Sequence, residues 1–171
     1  HAATDAGFDD AMMMDWRGQV AEGTGANIFF VRDGVLHTPT PDCFLNGLTR
    51  QSVIQLAKQR GIEVVERAIW PSELPSFSEA FLTGSAAEIT PIRSVDRIQV
   101  GEGRRGPVTE RIQKLFFEIT SGEREAPGDW LTFVGDHKPA DEAQRNGHRA
   151  AQTEEVRKAA TQSTAGDTRD A

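Results

Sequence analysis

One acidic residue at the head of a glycine turn is the side chain in this sequence best placed to do chemistry. Glu22 precedes Gly23-Thr24-Gly25, and the apolar run from Asn27 to Arg32 follows directly. A carboxylate held at such a turn can face a protonated nitrogen of a bound ring and stabilise its charge. Considered alone, Glu22 could equally be an ordinary solvated side chain. The ligand-binding interpretation therefore depends on the other segments of the sequence.

Two further segments present groups that bind anions. Residues 45–49 open an amphipathic helix, whose first N–H groups lack intrahelical partners and carry the positive end of the helix dipole. Gly47 allows a phosphate to approach closely, and the Thr49 hydroxyl adds a donor. Ser85 and Ala86 come after a strand and a glycine, so their N–H groups can turn toward a ligand. A carboxylate, a helix start and a small-residue turn together suit an anionic aromatic cofactor.

Other interpretations compete with this one. The helix start is also explained as an ordinary one that is capped by Asn46 and holds no phosphate. Ser85 lacks the Gly-x-Ser-x-Gly elbow and a histidine base, so we do not expect a hydrolase nucleophile there. Residues 101–106 match the dinucleotide-binding fingerprint between a strand and a helix, but no returning strand with an acidic residue follows that helix. We therefore predict that this loop does not bind a dinucleotide.

Helix and strand patterns around these residues predict an α+β or α/β fold. Asp33-Gly34 predicts a tight hairpin, because both turn positions adopt positive φ. Residues 11–16 are predicted to form a short buried strand in which three methionines fill the core. The other predicted elements are strands over 19–21, 27–32, 35–38, 62–69, 80–83 and 97–100, a helical turn over 71–77, and helices over 49–60 and from 107 to about 121.

The composition excludes several classes of protein. With 26 acidic against 19 basic residues among 171, the chain lacks the basic face of a nucleic-acid-binding protein. No apolar run approaches the ~20 residues that span a bilayer, so we expect no membrane partner. Four dispersed histidines give no metal-ligand spacing, so we expect no metal. A single cysteine, Cys43, excludes an internal disulfide framework and fits a cytoplasmic protein.

The composition changes after Val134. From residue 135 to residue 171, Val156 is the only large aliphatic residue. Such a segment buries too little apolar surface to offset an ordering cost of about 1–2 kcal/mol per residue. We therefore predict a cofactor-binding domain over 1–134 and a disordered tail over 135–171, with a transient helix over 142–161 as the alternative for the tail.

Six motifs, in this order, resemble those of the fold-type-IV pyridoxal-phosphate aminotransferases, and most closely the branched-chain amino-acid aminotransferases. They are Glu-Gly-x-Gly-x-Asn-Ile-Phe, Asp-Gly-Val-Leu, Gly-Leu-Thr-Arg, Gly-Ile-Glu-Val, Thr-Gly-Ser-Ala-Ala-Glu-Ile-Thr-Pro and Gly-Glu-Gly-Arg-Arg-Gly-Pro-Val-Thr. The similarity runs from the beginning of the chain through Val134. It implies the large domain of that family, a mixed β-sheet or pseudo-barrel flanked by helices, with pyridoxal 5'-phosphate as the cofactor.

The resemblance also implies how the cofactor is held. Glu22 would face the pyridine nitrogen and keep it protonated, so that the ring accepts the electron pair released when the substrate Cα–H bond breaks. Leu45 would pack on the ring. The backbone N–H groups of Leu48 and Thr49, beside Gly47, would bind the phosphate.

Two residues of the small-residue turn complete the implied site. Ser85, where the family often has threonine, would add a hydroxyl to the phosphate site. Ser85 and Ala86 would also present N–H groups to the substrate carboxylate. The implied reaction transfers the amino group of leucine, isoleucine or valine to 2-oxoglutarate by a ping-pong mechanism, in a homo-oligomeric protein whose partners are small molecules.

This sequence departs from the family pattern at the lysine that forms the Schiff base with the cofactor. In the family this lysine precedes the Glu22-type motif by more residues than stand before Glu22 here, so we expect it upstream of His1. Lys58 and Lys114 lie on predicted helices and Lys138 in the predicted tail, and none of them fits the role. We therefore expect a fragment that lacks the catalytic lysine and the small N-terminal domain and is largely or wholly inactive alone.

Three alternatives remain. The first is a related enzyme of the same fold, a D-amino-acid aminotransferase or an aminodeoxychorismate lyase. The second is a non-catalytic module that keeps the sheet and a phosphate pocket for binding or regulation. The third is a nucleotide-binding oxidoreductase built on the 101–106 loop.

Overall fold

The computed structural model describes residues 1–128 and 130–132. Residues 1–126 form one compact unit. Residues 127–171 form a second unit, and none of its described residues belongs to a helix or a strand. The predicted tail over 135–171 and the predicted domain boundary after Val134 lie outside the described residues.

The first unit contains strands, α-helices and one 3-10 helix. The strands are β1 (Met13–Met14), β2 (Val20–Glu22), β3 (Asn27–Arg32), β4 (Val35–Thr38), β5 (Val64–Glu66), β6 (Glu79–Gly84), β7 (Glu88–Pro91), β8 (Ser94–Val95) and β9 (Ile98–Gln99). The α-helices are α1 (Ala2–Asp5), α2 (Leu48–Gln59) and α3 (Pro107–Thr120), and the 3-10 helix is Pro71–Ser76. Among the described helices, none combines the length and the apolarity that a membrane span needs.

A five-stranded mixed sheet organises this unit, with the strand order β5-β4-β3-β6-β7. The strands β4 and β5 are parallel, and the other neighbouring pairs are antiparallel. The central strand β3 is buried along its first five residues, on both faces of the sheet. The β3–β4 hairpin turns at Asp33 and Gly34, whose φ values of 53° and 77° confirm the predicted turn.

Hydrophobic clusters cover both faces of the sheet. On one face the rings of Phe29 and Phe81 stack with their centroids 5.1 Å apart, beneath residues of α2 and α3. On the other face Phe30 stacks on Phe77 with a centroid separation of 4.7 Å, beside the 3-10 helix. The sheet is therefore held from both sides, which fixes where β3 begins, where β6 ends and where α2 begins.

A carboxylate from β6 satisfies the first turn of α3. Glu79, which is 5% exposed, accepts hydrogen bonds from the N–H groups of Val108 at 3.0 Å and Thr109 at 2.7 Å, and from the Thr109 hydroxyl. Gly106 makes room for it, because a Cβ there would lie 2.2 Å from Glu79 Cδ. The helix start behind the 101–106 loop is thus filled by an anion of the protein itself. Among the described residues no strand follows α3, and whether the 101–106 loop binds a dinucleotide stays a prediction.

The predicted buried strand over 11–16 is wrong in extent and in burial. Only Met13 and Met14 are in a strand, and their side chains are 46% and 40% exposed. Trp16 is 87% exposed. The reason is that β1 pairs with β2 alone, in a two-stranded ribbon separate from the main sheet, so no second layer covers it.

Replacing Glu79 with glutamine is expected to lower the free energy of unfolding by about 1–3 kcal/mol, because the glutamine NH₂ group would face backbone N–H donors in a buried position. Urea unfolding followed by circular dichroism measures the change. Glu110→Gln, at an exposed carboxylate in the same helix, is the matched control and should stay within about 0.5 kcal/mol of wild type. Equal effects of the two substitutions would contradict the role given to Glu79.

Candidate active site

Glu22 ends β2 and lines an open cleft of about 420 Å³. Met13, Met14, Trp16 and Phe44 also line this cleft, so its walls come from the β1–β2 ribbon and from the loop before α2. The Glu22 side chain is half-buried, and burial raises the pKa of its carboxyl group. No basic group among the described residues offsets this rise. A carboxylate in this position gains most from a ligand that donates a charged N–H group.

The first turn of α2 keeps its backbone N–H groups available. Gly47 precedes the helix and has no side chain with which to cap it. The alternative cap, Asn46, instead accepts a hydrogen bond from Arg50 at 2.8 Å. Among the described residues, no group accepts a hydrogen bond from the N–H of Leu48 or Thr49. This helix start can therefore hold an anion, in contrast to the start of α3.

Asn27 connects the Glu22 carboxylate with the loop that leads into α2. It is the first residue of β3 and is 5% exposed. Its Nδ2 donates to the Leu45 carbonyl oxygen at 2.8 Å and lies 3.4 Å from Glu22 Oε2, while its Oδ1 accepts from the Gly47 N–H at 3.2 Å. Sequence analysis did not identify Asn27 as a site residue. The available signal was one polar residue at the head of an otherwise apolar strand.

The small-residue turn lies at the same end of the sheet. Ser85 and Ala86 are exposed in the turn between β6 and β7. A Cβ on Gly84 would lie 3.3 Å from the carbonyl oxygen of Gly25, so this turn packs against the glycine turn that follows Glu22. The structure therefore brings together the three segments in which the sequence placed its candidate residues. The exposed side chains of Leu45 and Leu48, each 82% exposed, stand on the loop and on the helix start.

The described lysines lie away from this cleft. Lys58 is in the last turn of α2, ten residues beyond Leu48, which is about 15 Å along the helix axis. Lys114 is on α3 and lies 3.9 Å from Glu118. Neither residue lines the cleft of Glu22. Among the described residues there is also no group of histidine, cysteine and acidic side chains that could hold a metal ion.

Comparison with known proteins explains why these segments occur together. The family model described as amino-transferase class IV matches residues 1–95, more than half of the chain. The chain therefore belongs to the amino-transferase class IV family. The resemblance inferred from the motifs is confirmed.

The similar relatives and the similar solved structures that we compared are all named branched-chain aminotransferases. The branched-chain-amino-acid aminotransferase of Pseudomonas aeruginosa is 50% identical over 132 residues, which are 77% of this chain and 43% of that protein. Its Escherichia coli K12 counterpart is 50% identical over 129 residues, 75% of this chain and 42% of that protein. The chain thus spans less than half the length of these relatives.

Two crystal structures show the fold. The Escherichia coli branched-chain amino acid aminotransferase has 48% identity and a TM-score of 0.76, covering 78% of this chain and 45% of that one. The T.th. branched-chain amino acid aminotransferase in complex with N-(5'-phosphopyridoxyl)-L-glutamate has 42% identity and a TM-score of 0.76, covering 78% and 46%. The predicted fold class, a fold-type-IV aminotransferase large domain with a mixed sheet flanked by helices, is confirmed.

The raised pKa of Glu22 predicts a pH-dependent effect of Glu22→Gln on stability. Below the unfolded-state pKa of about 4.3, Glu22 is protonated in both states and folding carries no ionisation penalty. As the pH rises through the folded-state pKa, wild type loses stability because the half-buried group ionises. Glu22→Gln should therefore be more stable than wild type at about pH 7 and equal to it at about pH 3.

Urea unfolding at both pH values measures this difference. Glu63→Gln, at an exposed carboxylate outside the cleft, is the control and should stay within about 0.5 kcal/mol of wild type. A Glu22→Gln variant that is less stable than wild type near neutral pH would contradict the inferred environment of Glu22.

Proposed function

We propose that this chain is the cofactor-binding part of a pyridoxal-phosphate-dependent aminotransferase that acts on branched-chain L-amino acids. The observation that carries the proposal is the position of Asn27, which links an uncompensated carboxylate, Glu22, to an uncapped helix start. A carboxylate at one end and free N–H groups at the other suit a ligand with a basic ring nitrogen and a phosphate. The relatives' names support the reaction, and one solved relative carries a phosphopyridoxyl amino acid.

The residues present fit pyridoxal 5'-phosphate at its ring nitrogen and at its phosphate. Glu22 would bind the ring nitrogen, because its burial and the lack of a basic partner favour a cationic N–H donor. The N–H groups of Leu48 and Thr49 would bind the phosphate. Gly47 lets the chain approach closely there, and Ser85 would add its exposed hydroxyl. Leu45, whose side chain is 82% exposed, would lose that exposure beneath the ring.

The proposed site would promote cleavage of the substrate Cα–H bond by stabilising charge on the cofactor. When bound, the cofactor supplies an electron-withdrawing ring that accepts the electron pair released from the substrate Cα–H bond. Glu22 stabilises the proton on the ring nitrogen, since a carboxylate beside that nitrogen raises its pKa. The phosphate-binding turn of α2 anchors the opposite end. The protein's contribution here is orientation and charge stabilisation, which act through groups already fixed by the sheet.

The substrate would be held by its carboxylate. Ser85 and Ala86 are exposed residues in the turn that packs against the glycine turn after Glu22, and their N–H groups would bind that carboxylate. Leucine, isoleucine and valine would be the amino donors, as the relatives' names, which specify branched-chain amino acids, suggest. The proposed acceptor is 2-oxoglutarate.

We further propose that the lysine that binds the cofactor covalently lies in a part of the protein that precedes His1. Lys58 and Lys114 are unsuited to the role, because Lys58 lies about 15 Å along α2 from Leu48 and Lys114 lies beside Glu118 on α3. Without that lysine the 171-residue chain would bind the cofactor without catalysing transamination. The complete protein would work in the cytoplasm as a homo-oligomer.

The cofactor assignment predicts that the 171-residue chain binds pyridoxal 5'-phosphate and that Glu22→Gln weakens the binding by on the order of 10–100-fold, since a hydrogen bond between charged groups is lost. Equilibrium dialysis with absorbance detection measures the Kd. Glu63→Gln is the matched control and should bind like wild type. Absence of binding by wild type, or equal affinity of wild type and Glu22→Gln, would overturn the assignment.

The substrate assignment predicts that the complete protein transfers the amino group of L-leucine to 2-oxoglutarate at least about 100-fold faster than that of D-alanine. Formation of the 2-oxo acid, followed by chromatography, measures both rates. A preference for D-alanine would indicate a D-amino-acid aminotransferase, and conversion of an aminodeoxychorismate-type substrate would indicate a lyase. Cofactor binding without any of these reactions would favour the alternative of a non-catalytic binding module.

A further inference from the structure

We propose that Asn27 is a positioning residue that sets the relative placement of the Glu22 carboxylate and the first turn of α2. The inference rests on the proposed function, because it concerns how one ligand is bound both at its ring nitrogen and at its phosphate. Asn27 is not assigned a role by the motifs that led to Glu22, Leu48 and Thr49. Its side chain is buried to 5% exposure and yet makes polar contacts with two segments, the end of β2 and the loop before α2.

The hydrogen bonds of Asn27 fix the orientation of its amide. The Oδ1 atom accepts from the Gly47 N–H at 3.2 Å, and Nδ2 donates to the Leu45 carbonyl at 2.8 Å. The second Nδ2 hydrogen faces Glu22 Oε2 at 3.4 Å. A flipped amide would set an oxygen against two acceptors and an NH₂ group against a donor, so only one orientation satisfies all three partners.

These contacts lock the loop before α2 to the sheet. The carbonyl of Leu45 and the N–H of Gly47 stand on either side of Asn46, and one side chain holds both. Because α2 begins at Leu48, the position of its free N–H groups is set from β3. The contact with Glu22 is long, so the carboxylate keeps its capacity for a shorter bond to a ligand.

Gly47 supports the same inference from the other side. A Cβ at this position would lie 2.5 Å from Asn27 Oδ1, which real contacts do not tolerate. The glycine therefore serves the approach of the loop to Asn27, in addition to the approach of a phosphate. Gly25 offers the contrast, because a Cβ there meets nothing within 4 Å.

Asparagine is the residue type that this position requires. It offers one acceptor and two donors in a single short plane. Aspartate would keep the acceptor for Gly47 but would set a negative oxygen against the Leu45 carbonyl and the Glu22 carboxylate. Thr83, directly opposite Asn27 across the β3–β6 pair, is equally buried, but its hydroxyl has no hydrogen-bond partner among the described residues.

The test measures the Kd of pyridoxal 5'-phosphate for the 171-residue chain and for four variants. Asn27→Asp should weaken binding by on the order of 10-fold or more. Thr83→Val, which removes a buried hydroxyl without a partner at the facing position, should leave the affinity within about twofold. Gly47→Ala should also weaken binding, because the added Cβ would displace the loop before α2 from Asn27. Gly25→Ala should leave the affinity unchanged, because its added Cβ meets no atom within 4 Å.

A double-mutant cycle separates positioning from general destabilisation. If Asn27 acts through the placement of Glu22, the effects of Asn27→Asp and Glu22→Gln on the Kd are non-additive by at least about threefold. Additive effects would overturn the inference. Should Asn27→Asp fail to fold, Gly47→Ala takes its place in the same cycle, and additivity there has the same meaning.

The outcomes also separate this inference from the proposed function. Absence of binding by wild type would refute the proposed function and the inference together. Binding by wild type that is weakened by Glu22→Gln but unchanged by Asn27→Asp would refute the inference alone. Weakening by Thr83→Val as large as that by Asn27→Asp would also refute it, since burial at this end of the sheet would then explain both.

Discussion

The N–H groups in the first turn of a helix need acceptors, and this chain meets that need differently for its two long helices. At α3 the buried Glu79 carboxylate supplies the acceptor. At α2 a glycine stands in the capping position, and no described group accepts from Leu48 or Thr49. The N–H groups at the start of α3 therefore have an acceptor within the protein, whereas those at the start of α2 have none among the described residues. The sequence pattern that resembles a dinucleotide fingerprint precedes α3.

The sheet places the start of α2 close to the other candidate segments. The segments that carry Glu22, the α2 loop and the Ser85 turn come from distant parts of the chain and meet where β3 begins and β6 ends. The stacked rings of Phe29 and Phe81 hold these two strands in register, two residues beyond Asn27. A ligand that spans from a carboxylate to a helix start depends on that register, because a slip by one residue would turn Asn27 to the other face.

The sequence was most informative where local chemistry decides the structure. Asp33-Gly34 and the apolar stripe of α2 placed β3, β4 and α2 to within a residue, since turn geometry and helical periodicity are local properties. Burial is a property of the assembled layers, which is why the methionines of β1 were wrongly predicted to be core. The strand β7 was not predicted, because Glu88–Pro91 is short and ends in a proline, a residue that is disfavoured within strands. The bridge made by Asn27 joins three segments, and no spacing rule connects them.

The polar groups at this end of the sheet recognise features that many ligands share. Glu22, the N–H groups of α2 and the Ser85 turn suit a ring nitrogen, a phosphate and a carboxylate, and none of these distinguishes leucine from another amino acid. Discrimination between side chains of similar shape needs a wall that excludes or fits them. The described cleft is open, and the exposed Trp16 is an apolar surface on its wall. Under the proposed function, binding of the cofactor and choice of the amino acid would therefore depend on different groups, and the described residues supply candidates for the first.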